Sequence, residues 1–155
     1  MTDKLNAALD KADANLDGAI ERLFHLLRIP SISTDPAYKE DCARAADTLV
    51  EQLNDLGFDA SAREVPGHPM VVAHHPGPKD GGDDVLHVLF YGHYDVQPVA
   101  PIELWNTDPF EPTIVGEGDD AKIYARGSSD DKGQLLTFVE ACRAYIETSG
   151  DLPIK

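Results

Sequence analysis

Seven residues, Val85-Leu86-His87-Val88-Leu89-Phe90-Tyr91, make an almost unbroken apolar run. A strand of this composition is buried on both faces, which demands a sheet covered by helices. Val85–Tyr91 is therefore expected as the central strand of a mixed, mainly parallel sheet flanked by helices, an α/β fold. Gly92 marks the end of the strand, and His93-Tyr94-Asp95 follows. In open α/β sheets, ligands bind beyond the carboxyl ends of the strands. If residues 93–95 stay extended, the period of two places His93 and Asp95 on one face. An imidazole beside a carboxylate suits a metal ligand whose second ring nitrogen is held by an acidic partner. His-x-Asp alone is common; its place at a strand end, before Val96-Gln97-Pro98, gives it weight.

The second constellation is Tyr124-Ala125-Arg126-Gly127-Ser128-Ser129-Asp130-Asp131-Lys132-Gly133. Lys122–Ala125 is a short strand candidate and Arg-Gly-Ser-Ser a loop. From Lys132 onward, Leu135, Leu136, Val139, Cys142, Tyr145 and Ile146 recur at helical spacing, predicting a helix over 131–148. Asp130 and Asp131 fall in the strand-to-helix turn, where acidic residues favour a helix N-terminus. A carboxylate bridging two cations would want the same place. His93 and Asp130 should then converge, with Asp95 the carboxylate nearest the His93 ring.

The remainder reads as scaffold. Leu5, Leu9, Ala12, Leu16, Ile20, Leu23, Phe24 and Leu27 mark the buried face of one helix over 3–28, ending before Pro30, with Gly18 its weak point. His25 lies about 100° round from Phe24 and is expected to face solvent. A second helix over 38–56 turns Cys42, Ala45, Ala46, Leu49, Leu53 and Leu56 inward, with Gly57 as its stop. Phe58–Val65 and Met70–His74 are strand candidates joined by Pro66-Gly67-His68-Pro69. The adjacent His74 and His75 should point to opposite faces of a strand, which argues against a shared metal. Pro76–Asp84 is an acidic, turn-rich surface loop. Trp105 is expected to pack against loop walls. Arg126 either anchors its turn through Asp partners or faces an anionic substrate group.

Composition narrows the functional classes. A chain of 155 residues is expected to form one domain and to bury about 68–70% of its unfolded surface. A formal charge of −15, from 28 acidic and 13 basic residues, argues against nucleic acid and anionic membranes as partners. Cys42 and Cys142, each on a helical apolar stripe, read as reduced core thiols. No cleavable leader or spanning segment is visible, so a cytoplasmic location is expected.

Three segments together resemble the co-catalytic zinc peptidases. They are Gly92-His93-Tyr94-Asp95-Val96-Gln97-Pro98, Leu104-Trp105-Asn106-Thr107-Asp108-Pro109-Phe110-Glu111-Pro112, and Ile123 through Gln134 with its Ser-Ser-Asp-Asp-Lys-Gly core. That family includes carnosinase, bacterial dipeptidases, glutamate carboxypeptidase, aminoacylase, acetylornithine deacetylase and succinyl-diaminopimelate desuccinylase. The Asp-Val-Gln-Pro, Trp-x-x-x-Pro-Phe-Glu-Pro and Ser-x-Asp-Asp-Lys-Gly stretches look most like its dipeptidase branch. The resemblance extends to Arg28-Ile29-Pro30-Ser31-Ile32-Ser33 and covers essentially the whole chain.

The resemblance implies that His93 ligates one zinc, that Asp95 is the catalytic carboxylate orienting its imidazole, and that Asp130 bridges two divalent ions. Zinc is the expected metal, with manganese or cobalt able to fill a similar site. Asp131 matches a position that is not a ligand, and a cis peptide is implied at Asp130–Asp131. The family's Glu-Glu pair, its later acidic ligand and its distal His would all lie past Lys155. Residues 1–155 are thus expected to be the N-terminal part of an incomplete zinc-peptidase catalytic domain, without the lid and dimerisation domain, and inactive alone. The implied activity of the parent enzyme is metal-dependent hydrolysis of dipeptides or small peptides, with a homodimer expected at full length. The alternatives are an N-acyl amino-acid deacylase of the same family, or a non-catalytic fragment.

Overall fold

The computed structural model describes residues 2–81 and 84–155; Met1, Gly82 and Asp83 lie outside them. The order of elements is α1 (Thr2–Ala14), α2 (Leu16–Leu27), α3 (Lys39–Asp55), β1 (Asp59–Arg63), β2 (Met70–His74), β3 (Thr113–Val115), β4 (Lys122–Tyr124) and α4 (Lys132–Ser149). The α/β class is as expected.

The strand arrangement is not. The described strands form two separate antiparallel pairs, β1 with β2 and β3 with β4. The first runs from Asp59 opposite His74 to Arg63 opposite Met70. Among the described residues, parallel pairing is confined to a bridge between Ile32 and Val96. Residues 85–91, expected as the central strand, belong to no sheet among the described residues. Their ladder contacts are two bonds with Lys155, Val88 N–H to its carbonyl (2.8 Å) and its N–H to the Leu86 carbonyl (3.0 Å). Leu89 is 96% exposed and Tyr91 81%. A strand is stabilised by its neighbours more than by its own composition, and among the described residues this run has few.

The first helix also differs. It breaks at Asn15 (φ −98°, ψ 6°) rather than at Gly18. Leu5, Leu9 and Leu16 are exposed, while Ala8, Leu26 and Leu27 are buried. α1 packs along α4, where Lys11 pairs with Glu147 (3.0 Å) and Asn15 at the break donates to the same carboxylate (2.9 Å).

The core itself follows the sequence pattern. Leu26 and Ile29 meet Ala45, Leu49 and Leu56 of the α3 region and Leu136 and Val139 of α4. Cys42 and Cys142 are buried free thiols, and His25 is exposed. Before α3, the Asp35 carboxylate accepts from Ala37 N–H (2.9 Å), capping a short 3-10 turn that opens with Pro36. The helix stops at Gly57, whose φ of +86° is readily adopted only by glycine. Of the loop 76–84, the described residues form neither helix nor strand.

Lys132, at the first position of α4, is completely buried. Its Nζ donates to the carbonyls of Ile29 (2.7 Å) and Leu26 (3.0 Å), just where α2 ends. A cation satisfies the electron-rich end of a helix there. Burial pushes its pKa down to about 8, against the opposing pull of Cys42, Asp95 and Asp41. Next to it, a Cβ on Gly133 would lie 1.9 Å from the Ser128 carbonyl oxygen, so the turn closes only around glycine.

Replacing Lys132 by Met keeps the stem and removes both bonds. Hydrogen bonds to charged groups contribute about 1.5–3 kcal/mol, offset here by the cost of burying the amine. The expected net loss for Lys132→Met is about 2 kcal/mol in urea denaturation. An unchanged or higher midpoint would mean that desolvation of the ammonium cancels its two bonds.

Candidate metal centre

Three chain segments meet beside the N-terminus of α4. The Ser31–Ser33 segment lies parallel to residues 94–96: Val96 N–H donates to the Ser31 carbonyl (2.9 Å), and Ser31 Oγ donates to the Tyr94 carbonyl (2.7 Å). Tyr94 Oη donates to the Pro69 carbonyl in the β1–β2 connection (2.5 Å). The third segment is the turn at Asp130–Asp131, whose peptide bond is cis as the sequence resemblance implied.

His93, Asp95 and Asp130 are brought together. His93 Nδ1 lies 3.1 Å from the Asp95 carbonyl oxygen and 3.2 Å from Asp95 Oδ1. Its Nε2 lies 3.1 Å from Asp130 Oδ1. The expectation that Asp95 would be the nearest carboxylate is not met, because Asp130 is marginally closer. The ring sits between the two. Burial opposes charging the imidazole, but the Asp95 carbonyl and carboxylate, with Asp130 and Asp131, outweigh it and raise the pKa above its ordinary value.

The proton count on this ring calls for a positive charge. A neutral imidazole carries one N–H. Two Asp95 oxygens face Nδ1, so the proton belongs there and Nε2 turns a lone pair toward the Asp130 carboxylate. That approach is repulsive unless the ring is protonated or a cation lies between the two atoms. Nitrogen and oxygen ligands about 2.0–2.2 Å from one tetrahedral zinc stand roughly 3.3–3.5 Å apart, close to the 3.1 Å found here. The Asp130 side chain is 86% exposed, so its outer face remains open to solvent. These residues fit a divalent cation as two of its ligands. No group of three or more His, Cys, Asp or Glu side chains suited to hold a metal occurs among the described residues.

Asp131 has a part that sequence reasoning missed. Its Oδ2 accepts from the His93 backbone N–H at 2.9 Å, joining the two motif loops directly. A Cβ on Gly92 would come within 3.1 Å of that oxygen, so the glycine allows the close approach. The adjacency of Asp131 to Asp130 made it look like a helix cap, and only the packing of 92–93 against α4 shows its partner. A Ser33–Asp95 contact, Ser33 Oγ to Oδ2 at 2.5 Å, was equally invisible because 62 positions separate the two residues.

The third motif packs alongside. Arg126 N–H donates to the Pro109 carbonyl (2.7 Å), and Arg28 pairs with Glu111 at 2.8 Å. Trp105 Nε1 donates to the Val99 carbonyl (3.1 Å), so Trp105 packs as expected. Arg126 lies over its ring at 5.1 Å and donates to the Pro98 carbonyl (3.0 Å). The turn is therefore anchored through a carbonyl and an aromatic face, not through Asp partners. β3, which pairs with β4, was not anticipated from sequence. His75 packs edge-on to Phe58 and accepts from Gly77 N–H (3.0 Å), apart from the site.

Residues 89–155 match the profile of peptidase family M20/M25/M40. The Cys-Gly metallodipeptidase of Schizosaccharomyces pombe is 33% identical over 158 aligned residues, covering 98% of this chain and 32% of that protein. A succinyl-diaminopimelate desuccinylase of Polynucleobacter necessarius is 35% identical over 107 residues, 68% of this chain and 27% of its own length. The solved structure of human carnosine dipeptidase 1 superposes with a TM-score of 0.84 at 28% identity, covering 97% of this chain and 32% of that one. The di-peptidase Dug1p of Saccharomyces cerevisiae gives 0.80 at 28% identity, with 97% and 33% covered. The chain spans about a third of the length of these full-coverage relatives. It belongs to peptidase family M20/M25/M40.

Proposed function

We propose that this chain carries one part of the active site of a metal-dependent hydrolase of dipeptides or small peptides. The observation that supports it most is the His93 ring held between two carboxylates, with Nδ1 turned to Asp95 and Nε2 to Asp130. In this reading, residues 1–155 are the N-terminal part of the catalytic domain. His93 and Asp130 are metal ligands, and Asp95 fixes the imidazole so that Nε2 stays free to coordinate. Asp130, open on its outer side, is the ligand able to bridge a second ion. Divalent ions in such a pair lower the pKa of water toward neutrality and polarise the scissile carbonyl. Zinc fits the mixed imidazole and carboxylate donors, with manganese and cobalt as substitutes.

What the chain's own residues do is hold geometry. Asp131 fixes the His93 backbone against the Asp130 turn, and Lys132 fixes that turn against α2. The remaining ligands and the general base are assigned to sequence outside this chain, as is a dimer interface. A cytoplasmic setting is supported by the two reduced core thiols. Among the described residues, no helix is long and apolar enough to cross a membrane. The desuccinylase relatives keep N-acyl amino-acid deacylation as the second reading.

The test is the purified 155-residue chain beside the product of the complete reading frame containing it. Both are assayed with added zinc or manganese on dipeptides and N-acyl amino acids. Turnover of dipeptides by the longer product alone is expected, abolished by chelation and reduced at least about 10³-fold by His93→Ala or Asp130→Ala. Equal turnover by both chains would show that no further ligand is needed. A preference for N-acyl amino acids would move the function to the second reading.

Asp131→Ala leaves the ligands in place but frees the His93 N–H. The expected cost is about 1–3 kcal/mol of stability, together with weaker metal affinity by equilibrium dialysis of the longer product. Asp131→Asn, which still offers an acceptor oxygen, should retain most of both. Indistinguishable affinity in Asp131→Ala would remove this residue from the account.

A further inference from the structure

Arg28-Ile29-Pro30-Ser31-Ile32-Ser33 lies outside the two metal-binding loops, yet it reaches the site. Ser33 Oγ donates to Asp95 Oδ2 at 2.5 Å, the short distance of a hydroxyl bound to an ionised acceptor. The other oxygen, Oδ1, faces His93 Nδ1 at 3.2 Å. Each oxygen of this carboxylate thus has its own partner. The terminal torsion of an Asp side chain is broad and two-fold, so one partner leaves the group free to rock. Two partners on different oxygens fix its plane.

Ser33 is itself held on both sides. Its carbonyl accepts from His68 Nε2 at 2.8 Å, on the turn between β1 and β2. The preceding residue, Ile32, bridges to Val96, the residue after Asp95. The hydroxyl is therefore delivered by a backbone registered against the same segment that carries the carboxylate. A connected line runs from His68 through Ser33, Asp95 and His93 to Asp130.

We propose that Ser33 is a positioning residue of the metal centre: its hydroxyl locks the Asp95 carboxylate so that the Asp95 side chain holds the Nδ1–H of His93 and leaves Nε2 aimed at Asp130. The inference rests on the reading of His93 as a metal ligand. Ser33 touches neither ligand atom and acts only through Asp95. The Asp95 backbone carbonyl, 3.1 Å from Nδ1, is the weaker support that remains when the side chain is released.

The experiment uses the metal-free 155-residue chain with ¹⁵N-labelled histidine. Long-range proton–nitrogen spectra, recorded at a pH high enough to leave the ring neutral, give the His93 tautomer, and the solvent exchange rate of its Nδ1–H reports how firmly the Asp95 carboxylate holds it. Ser33→Ala is expected to speed that exchange about tenfold, the equivalent of one charge-assisted hydrogen bond, and Ser33→Thr to restore it. In an Asp95→Ala background, which leaves Ser33 no side chain to hold, Ser33→Ala should add nothing further. Backbone amide spectra check the fold. Should Ser33→Ala lose it, Ser33→Thr against Ser33→Val makes the same comparison at nearly constant shape. Unchanged exchange in Ser33→Ala, or equal exchange in the Thr and Val variants, overturns the proposal. So does an equal acceleration in the Asp95→Ala background. None of these readouts needs metal or turnover, so an inactive longer product would count against the hydrolase reading alone.

Discussion

The Lys132 ammonium is the contact from which the site takes its geometry. It is a completely buried cation at the start of α4, and its two acceptors are the carbonyls of Leu26, in the last turn of α2, and of Ile29, two residues past its end. The contact spans more than a hundred positions of sequence and sets where the Asp130–Asp131 turn stands relative to Ile29–Ser33. Residues 94–96 are in turn registered on Ser31 and Ile32. The His93 loop and the Asp130 loop are thus both referred to one short segment after α2, and the 3.1 Å approach of His93 to Asp130 follows from that shared reference.

Electrostatics around His93 are arranged for a cation. Asp95, Asp130 and Asp131 all lie against one imidazole and its backbone. In a protein with a formal charge of −15, a further convergence of carboxylates costs free energy unless something positive enters. Lys132 is too deeply committed to backbone carbonyls to serve. The direction of the His93 pKa, raised against its burial, expresses the same demand for positive charge. A divalent ion would satisfy it, and the ring geometry leaves Nε2 free to take part.

The long apolar face formed by residues 85–91 belongs to the same picture. Its side chains are exposed and its ladder bonds are few, while Phe90 stacks on Phe138 of α4 at 3.9 Å. One side of the segment is therefore seated on the helix that follows the Asp130–Asp131 turn. The relatives that superpose on this chain are about three times its length, which sets the scale of what a complete hydrolase of this family contains.

Much was legible from residues alone. The α3 stripe from Cys42 to Leu56, the Gly57 stop, the α4 periodicity after Lys132 and the β1 and β2 segments are local patterns, and local patterns survive in one chain read by itself. His93, Asp95 and Asp130 were singled out by short motifs and the family these resemble, and the folded chain brings the three side chains together. The central-strand role of Val85–Tyr91 was not secured, since pairing depends on neighbours that composition does not contain. Nor was the break at Asn15, where Gly18 looked weaker. Tertiary structure alone decided the partners: Lys132 with α2, Asp131 with the His93 N–H, Ser33 with Asp95. Each is one or two hydrogen bonds between residues 38 to 106 positions apart. No periodicity announces such contacts, because their energy comes from burial and geometry that exist only once the chain is folded.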